Sequence, residues 1–414
     1  MNIVFIDPEE FLVDQLRDIA IEEDDNLFIL SDKLNKINGF ICIKESIVHN
    51  YEEAKKKVLE VCNPDIIFTF NENSLEKTAI LCNELNLPFH PLEVIKKNRD
   101  KKLMKESWRQ YALSTASEYF CLSTKEVLDN AGLIKYPVIL KPSMGMCSLG
   151  VMKANSEEEL KIQLNKIALL NLNFKSKDNA EAGVLIENYI EGDEYAVDTV
   201  WFNSKPVISG ILSRNNSDGP YFPDSLYYCD PYLDNDLSRE ILKASYSAVH
   251  ATGVRYGSTH TEMRIKGGKI YLIETAARPG AGGFFYEYVL KNAYGIDFLR
   301  AAYYSYTFNN KIQSFMSREK KEIDFHNNCI FFYNYHYDGS GIINNIEGIE
   351  KVKSRSEVQT LYQLKKTGDL LYNENMNAGY LIWIVACKDN YREYAEIDNL
   401  TKLYQEEIKI SFKS

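Results

Sequence analysis

The sequence predicts an α/β protein in several modules, α+β in its middle part and β-rich towards the C-terminus, and three observations carry that expectation. The chain has 414 residues, too many for one ordinary core, so two or three domains are expected. Up to about residue 90, short apolar β-rich runs alternate with stretches of helical periodicity. From about residue 183 the pattern changes to longer β-rich runs broken by glycine turns, with a single amphipathic helix among them.

The early apolar runs are Asn2 to Ile6, Leu27 to Leu30, Phe40 to Ile43 and Asp65 to Phe70. Strands that alternate with helices form parallel sheets, and Tyr51 to Val61 and Ser74 to Leu85 carry apolar residues at helical spacing. Pro88 and Pro91 then punctuate the chain and place a first boundary nearby. A charged helix from Asn98 to Ala112 leads into a smaller α/β unit, with strands at Tyr119 to Leu122 and Tyr136 to Pro142. The next region holds strands at Val184 to Tyr189, Tyr195 to Phe202 and Pro206 to Leu212, a loop rich in Gly, Pro and Tyr from Asn215 to Asp234, and a helix from Leu237 to Ala251. Thr259 to Arg264 and Lys269 to Glu274 flank Lys266-Gly267-Gly268, the composition of a tight hairpin. Beyond about Arg300, Cys329 to Tyr335 and Tyr380 to Ala386 read as strands of a closing domain. The expected divisions are 1–95, 96–182, 183–305 and 306–414.

A formal charge of −11 works against non-specific binding to nucleic acid or to an anionic membrane, which leaves small molecules as the default partners. The eight cysteines are scattered without a Cys-x-x-Cys pair, as expected of free thiols in a reducing cytosol. Acids stand in MNIVFIDPEE where an export signal needs basic and then apolar residues. No apolar run approaches the roughly 20 residues that span a bilayer. A cytoplasmic protein is expected.

Three segments carry chemistry. The first, Tyr136-Pro-Val-Ile-Leu-Lys141-Pro-Ser143-Met-Gly145-Met-Cys-Ser148-Leu-Gly150, is a strand ending in a lysine and then a loop of small residues. Backbone N–H groups of such a loop can fold over phosphates while the lysine adds a point charge. It is neither a Walker A loop nor a dinucleotide fingerprint. In the second, Val184-Leu-Ile-Glu187-Asn188-Tyr189-Ile190-Glu191-Gly192-Asp193-Glu194, an edge backbone at Asn188 to Ile190 could pair with adenine, and Glu194 could accept from ribose hydroxyls. In the third, hairpin pairing sets Glu262 near Glu274, two carboxylates that repel unless a cation lies between them. Magnesium fits, because it joins one or two carboxylates to nucleotide phosphates. Arg278 follows four residues after Glu274 and suits the charge of a transferred phosphoryl group.

These segments, in this order, resemble the ATP-grasp superfamily over roughly Ile95 to Gly295, with the preceding layer similar to a pre-ATP-grasp domain. The resemblance implies ATP and Mg²⁺ (or Mn²⁺) as cofactors, Lys101 (with Lys102 as its neighbouring candidate) and Lys141 as phosphate lysines, and Ser143 to Gly150 as a lid that includes Ser148. It implies Glu187, Asn188 and Ile190 as the adenine hinge, Glu194 as the ribose acid, Glu262 and Glu274 as metal ligands, and Arg278, Glu274 and Lys141 as the catalytic set. Ala276 stands where many relatives carry a metal-binding Asn. The Ala276-Ala-Arg-Pro-Gly280 run is similar to the branch of L-amino acid ligases and carnosine-synthase-like enzymes, which join a carboxylate to an amine through an acyl phosphate. Transfer to a thiol of an acyl carrier protein and a non-catalytic nucleotide module stay open as alternatives, as does a homodimer. His260 is a candidate base or a structural residue, Cys147 a redox switch or a small lid residue, and Arg214 a candidate clamp for a substrate carboxylate.

Overall fold

Buried apolar runs in parallel register build the first layer. β1 (Asn2–Ile6), β2 (Asn26–Leu30), β3 (Ile41–Ile43) and β4 (Ile66–Thr69) pair in the order β3-β2-β1-β4. Ile3 to Ile6 and Ile66 to Thr69 are buried throughout, as strands are when helices cover both faces of a parallel sheet. The computed structural model describes the chain except residues 34–39, 117, 122–123, 146–147, 175–182, 215–218, 220, 317–326, 338, 372–379 and 414. Leu122, Met146 and Cys147 therefore lie outside the described residues, as does part of the Asn215 to Asp234 loop. The segments that leave the carboxyl ends of β1 and β4 carry Glu9 and Phe70 to Asn73 to the mouth of the central cleft, where open parallel sheets bind ligands.

In place of one helix from Asn98 to Ala112 there are two, Leu92–Arg99 and Lys101–Gln110. Asp100 separates them because its extended backbone lets the carboxylate cap the second helix, accepting from the N–H groups of Lys102 at 2.8 Å and Leu103 at 3.3 Å. The Lys101 N–H donates to the Ser143 carbonyl at 3.0 Å, which ties the helix start to the loop that follows Lys141. That loop belongs to an antiparallel sheet of β5 (Glu118–Cys121), β6 (Val138–Pro142), β7 (Met152–Ala154) and β8 (Val184–Asn188), in the order β5-β8-β6-β7.

The central sheet has eight strands. β9 (Asp193–Phe202), β10 (Lys205–Arg214), β11 (Leu226–Cys229), β12 (Gly257–Lys266) and β13 (Lys269–Ala276) form one half. After β14 (Cys329–His336), β15 (Gly341–Glu347) leaves for a small sheet, β16 (Val358–Gln363) returns, β17 (Leu370–Leu371) leaves again, β18 (Tyr380–Lys388) returns, and β19 (Lys409–Phe412) ends the chain in the small sheet. The large sheet runs β13-β12-β9-β10-β11-β14-β18-β16 and the small one β17-β15-β19. β14, β16 and β18 thus extend the sheet that bears the hairpin acids.

The β12–β13 hairpin turns through Gly267 and Gly268, both at positive φ (57° and 76°), a backbone that two-residue hairpins favour and glycine adopts freely. Among the described residues no helix is long and apolar enough to cross a membrane.

Gly192, between β8 and β9, sits at φ +139°, and a Cβ there would come within 2.0 Å of the Ile265 carbonyl oxygen. Gly192→Ala should therefore cost about 2 kcal/mol or more in chemical denaturation. Gly267→Ala, with nothing within 4 Å, should lose less.

Candidate active site

The hairpin register puts Glu262 directly opposite Glu274. A bulge follows at once, so that Met263 pairs with Leu272. Met263 and Leu272 enter the core, while Ile273 and Glu274 both face the cleft, a re-aiming that bulges commonly provide. Each acid has a cation beside it. Lys101 Nζ lies 3.3 Å from Glu274 Oε1 and His260 Nε2 lies 3.3 Å from Glu262 Oε1.

His260 in turn stands across from Asp198 of β9, with Nδ1 2.8 Å from its Oδ2, and the other Asp198 oxygen accepts the Gly280 N–H at 2.7 Å. Burial alone would lower the His260 pKa, but the Asp198 and Glu262 carboxylates raise it to about 10. Both ring nitrogens thus lie against carboxylate oxygens. Burial would likewise raise Glu262, yet His260, Arg214 and Lys141 hold it down at about 2.

Across the cleft, Lys141 at the end of β6 is buried and paired with Glu187 of β8. The second Glu187 oxygen is 2.6 Å from Lys105, a fully buried lysine one turn along the helix from Lys101. Two ammonium groups overcome burial and keep the Glu187 carboxyl near 2. The Glu187 side chain is thus committed to lysines, leaving the backbone of the segment to meet a ligand. There the Tyr189 N–H donates to the Pro137 carbonyl at 3.1 Å and the Ile190 carbonyl accepts from Arg264 at 2.9 Å. Asn188 Oδ1 is buried and has no hydrogen-bond partner among the described residues.

Glu194 is the direct cross-strand partner of both Arg214 on β10 and Arg264 on β12. Each arginine takes one of its oxygens, which leaves it fewer lone pairs for ribose hydroxyls than the sequence suggests. Arg214 also pairs with Asp224, so its guanidinium is occupied by carboxylates of this chain. Ser148, at φ +54°, donates to Asp224 Oδ1 at 3.0 Å and links the lid loop to that network. Arg278 donates from Nε to Glu72 Oε2 at 2.6 Å, and Glu72 receives Arg99 on its other oxygen at 3.1 Å. Burial opposes the ionised form of Glu72, but Arg278 and Arg99 pull its pKa below the ordinary carboxylate value.

Every site residue expected from the sequence lines a single cleft of about 500 Å³: Lys101, Lys141, Ser148, Glu187, Asn188, Ile190, Glu194, Glu262, Glu274 and Arg278. Lys102 does not line it. Sequence reasoning missed Lys105, Glu72, Asp198 and Asp224. Glu72 had a signal in its place just beyond a parallel strand, and Asp198 in being the one acid of the largely apolar run Tyr195 to Phe202. Lys105 and Asp224 had none.

The described backbone superposes on the L-amino acid ligase of Bacillus licheniformis with a TM-score of 0.78 at 22% identity, covering 100% of this chain and 99% of that one. It also matches the phosphoribosylglycinamide synthetase of Anaerococcus prevotii, TM-score 0.68 at 17% identity, over 100% and 99% of the two chains. Residues 134–286 match the ATP-grasp domain family. This is the ATP-grasp fold. In sequence, the chain is 26% identical over 259 residues to the alanine–anticapsin ligase of Bacillus subtilis (strain 168), spanning 58% of this chain and 53% of that protein. It is 27% identical over 209 residues to the D-alanine–D-alanine ligase of Cupriavidus metallidurans, spanning 48% and 60%. The chain thus spans little more than half the length of the curated relatives it matches. Within the ATP-grasp fold of this chain, the cleft lies between the β5–β8 sheet and the hairpin face of the central sheet.

The His260 pair has a pH signature. The imidazole pKa rises from an ordinary 6.5 to about 10 on folding, so the stabilisation is complete below 6.5 and disappears as pH climbs through 10. The loss of melting temperature in Asp198→Asn should therefore be largest in acid and shrink steadily across that window. A loss independent of pH would show that the pair is not ionic.

Proposed function

We propose that this chain is an ATP-dependent carboxylate–amine ligase that forms an acyl phosphate from an amino acid or similar acid and transfers the acyl group to an amine. The observation that carries this reading is the pairing of Glu262 with Glu274 on one wall of the cleft, with Lys101 beside Glu274 and Lys141 across from them. The ligase names of the relatives support it.

Two hard carboxylate oxygens on adjacent strands, one firmly ionised, fit Mg²⁺ or Mn²⁺. Among the described residues no group of three or more His, Cys, Asp or Glu surrounds a metal position, and magnesium in nucleotide sites needs only one or two carboxylates besides phosphate and water. When bound, the ion neutralises charge on the terminal phosphates. The orphaned Asn188 Oδ1 suits the exocyclic amine of adenine, with Ile139 and Ile273 as apolar cover.

In the proposed reaction Lys101 and Lys141 bind the phosphates of ATP. A carboxylate oxygen of the acid attacks the γ-phosphorus, the bond to ADP breaks, and Arg278, steadied by Glu72, meets the charge on the moving phosphoryl group. The amine then attacks the acyl carbon and phosphate leaves. The departing phosphate carries away the proton that the amine loses, and His260, held by Asp198, positions Glu262. The wall beyond Arg278 is formed by Phe285, Phe332 and Trp383 with the small residues Ala281 and Gly282, so an apolar side chain is the proposed occupant.

Glu274→Ala should abolish nearly all ADP formation, and a variant with wild-type turnover would exclude the metal site assigned here. In a phosphate-release screen of amino acids singly and in pairs, release should require two substrates at once, with leucine, methionine or phenylalanine favoured over aspartate or lysine. Release that needs only one substrate would refute ligation.

A further inference from the structure

Lys105 lies outside the cleft, yet it controls the charge that the cleft presents. Its side chain is fully buried, so it cannot touch a ligand. It is fixed on three sides: Glu187 Oε1 at 2.6 Å, the Leu272 carbonyl at 3.2 Å and the Trp108 ring at 5.3 Å. Glu187 is equally buried and has Lys141 on its other oxygen. One carboxylate therefore stands between two ammonium groups, and the trio carries a net charge of +1, with Lys141 the member at the cleft wall. A buried carboxylate with a single lysine would form a closed neutral pair and draw that lysine away from any phosphate. The three groups come from three elements, helix Lys101–Gln110, β8 and β6, and the Leu272 contact adds β13, so the trio also fixes the wall bearing Lys141 against the hairpin that carries Glu274.

We propose that Lys105 is a positioning residue, a buried counter-charge that satisfies Glu187 and so leaves Lys141 free to bind nucleotide phosphate. The inference rests on the nucleotide site of the proposed function but not on ligation. Removing Lys105 leaves Glu187 to neutralise Lys141; removing Glu187 as well restores a net charge of +1 at Lys141.

The test is calorimetric titration of the full chain with Mg·ADP, together with the KM for ATP and kcat once a substrate pair is known. Lys105→Met should weaken ADP binding and raise the KM for ATP tenfold or more while kcat changes less. Lys105→Arg should bind ADP as the wild type does. Lys105→Met combined with Glu187→Gln should recover most of the lost affinity, and it keeps the test decisive if the single variant does not fold, because the one charge of the trio that remains, on Lys141, lies at the cleft wall. Wild-type ADP affinity in Lys105→Met, or a double variant that folds and binds no better than the single one, would overturn the assignment. A wild-type chain that binds no nucleotide would overturn the proposed function and this inference with it, whereas ADP binding without ligation would remove only the former.

Discussion

The two-glycine turn sets the β12–β13 register and the bulge after Glu262 shifts it by one residue, so that Glu262 faces Glu274, and the other charges of the cleft are arranged around that pair. A slip of one residue would turn every side chain of β13 to the opposite face. The alternation of Thr259, Thr261 and Met263 into the core prevents such a slip in β12. Two carboxylates held this close repel in the absence of a cation. The protein sets a lysine beside one and a histidine beside the other, so each acid has a partner before any ligand arrives.

Behind this pair the same device recurs. Cations that face the cleft are backed by carboxylates from other parts of the chain: Arg278 by Glu72 of the first layer, Lys141 by Glu187 of β8, and Arg214 and Arg264 by Glu194 of β9. Burying any one of these groups alone would cost several kcal/mol, and only a partner in good geometry offsets that. Arg278–Glu72 therefore joins the first layer to the central hairpin, whereas the other pairs lock neighbouring strands of one sheet. Packing alone would not impose that: apolar faces tolerate sliding, whereas a buried carboxylate between two fixed cations does not.

The strands of the first layer and the hairpin were legible because their apolar periods and glycines are local signals. Glu262, Glu274, Lys141 and Arg278 were legible because their spacing along the chain follows from strand and turn geometry. The break at Asp100 was not, since periodicity runs across it and only the capping carboxylate divides the helix. Lys105 was not either, because its partner Glu187 lies far along the chain; Asp224 is near Arg214 in sequence but sits in a loop, and only the closed fold brings it to Arg214 and Ser148. For the same reason, the sequence makes Glu194 look like a free ribose acid. Its neutralising arginines sit on two flanking strands, and that sheet order is not written in β9.

The C-terminal strands divide the work of the cleft. The matched ATP-grasp segment ends at residue 286, and the acids, lysines and hinge fall before that point or close to it. Phe332 and Trp383 come from β14 and β18, well beyond it, yet they share one sheet with Glu262 and pack against each other with ring centroids 5.8 Å apart. Continuity of the sheet means that a change in the C-terminal strands would alter the wall facing the substrate without shifting the hairpin register. Phosphoryl transfer tolerates little variation, because it depends on charges at fixed separations. An apolar wall needs only volume, and large-to-small changes there alter fit by the size of a side chain. In the proposed reaction the chemistry would thus be fixed by the β12–β13 pairing, while selectivity would rest on the part of the sheet farthest from it in sequence.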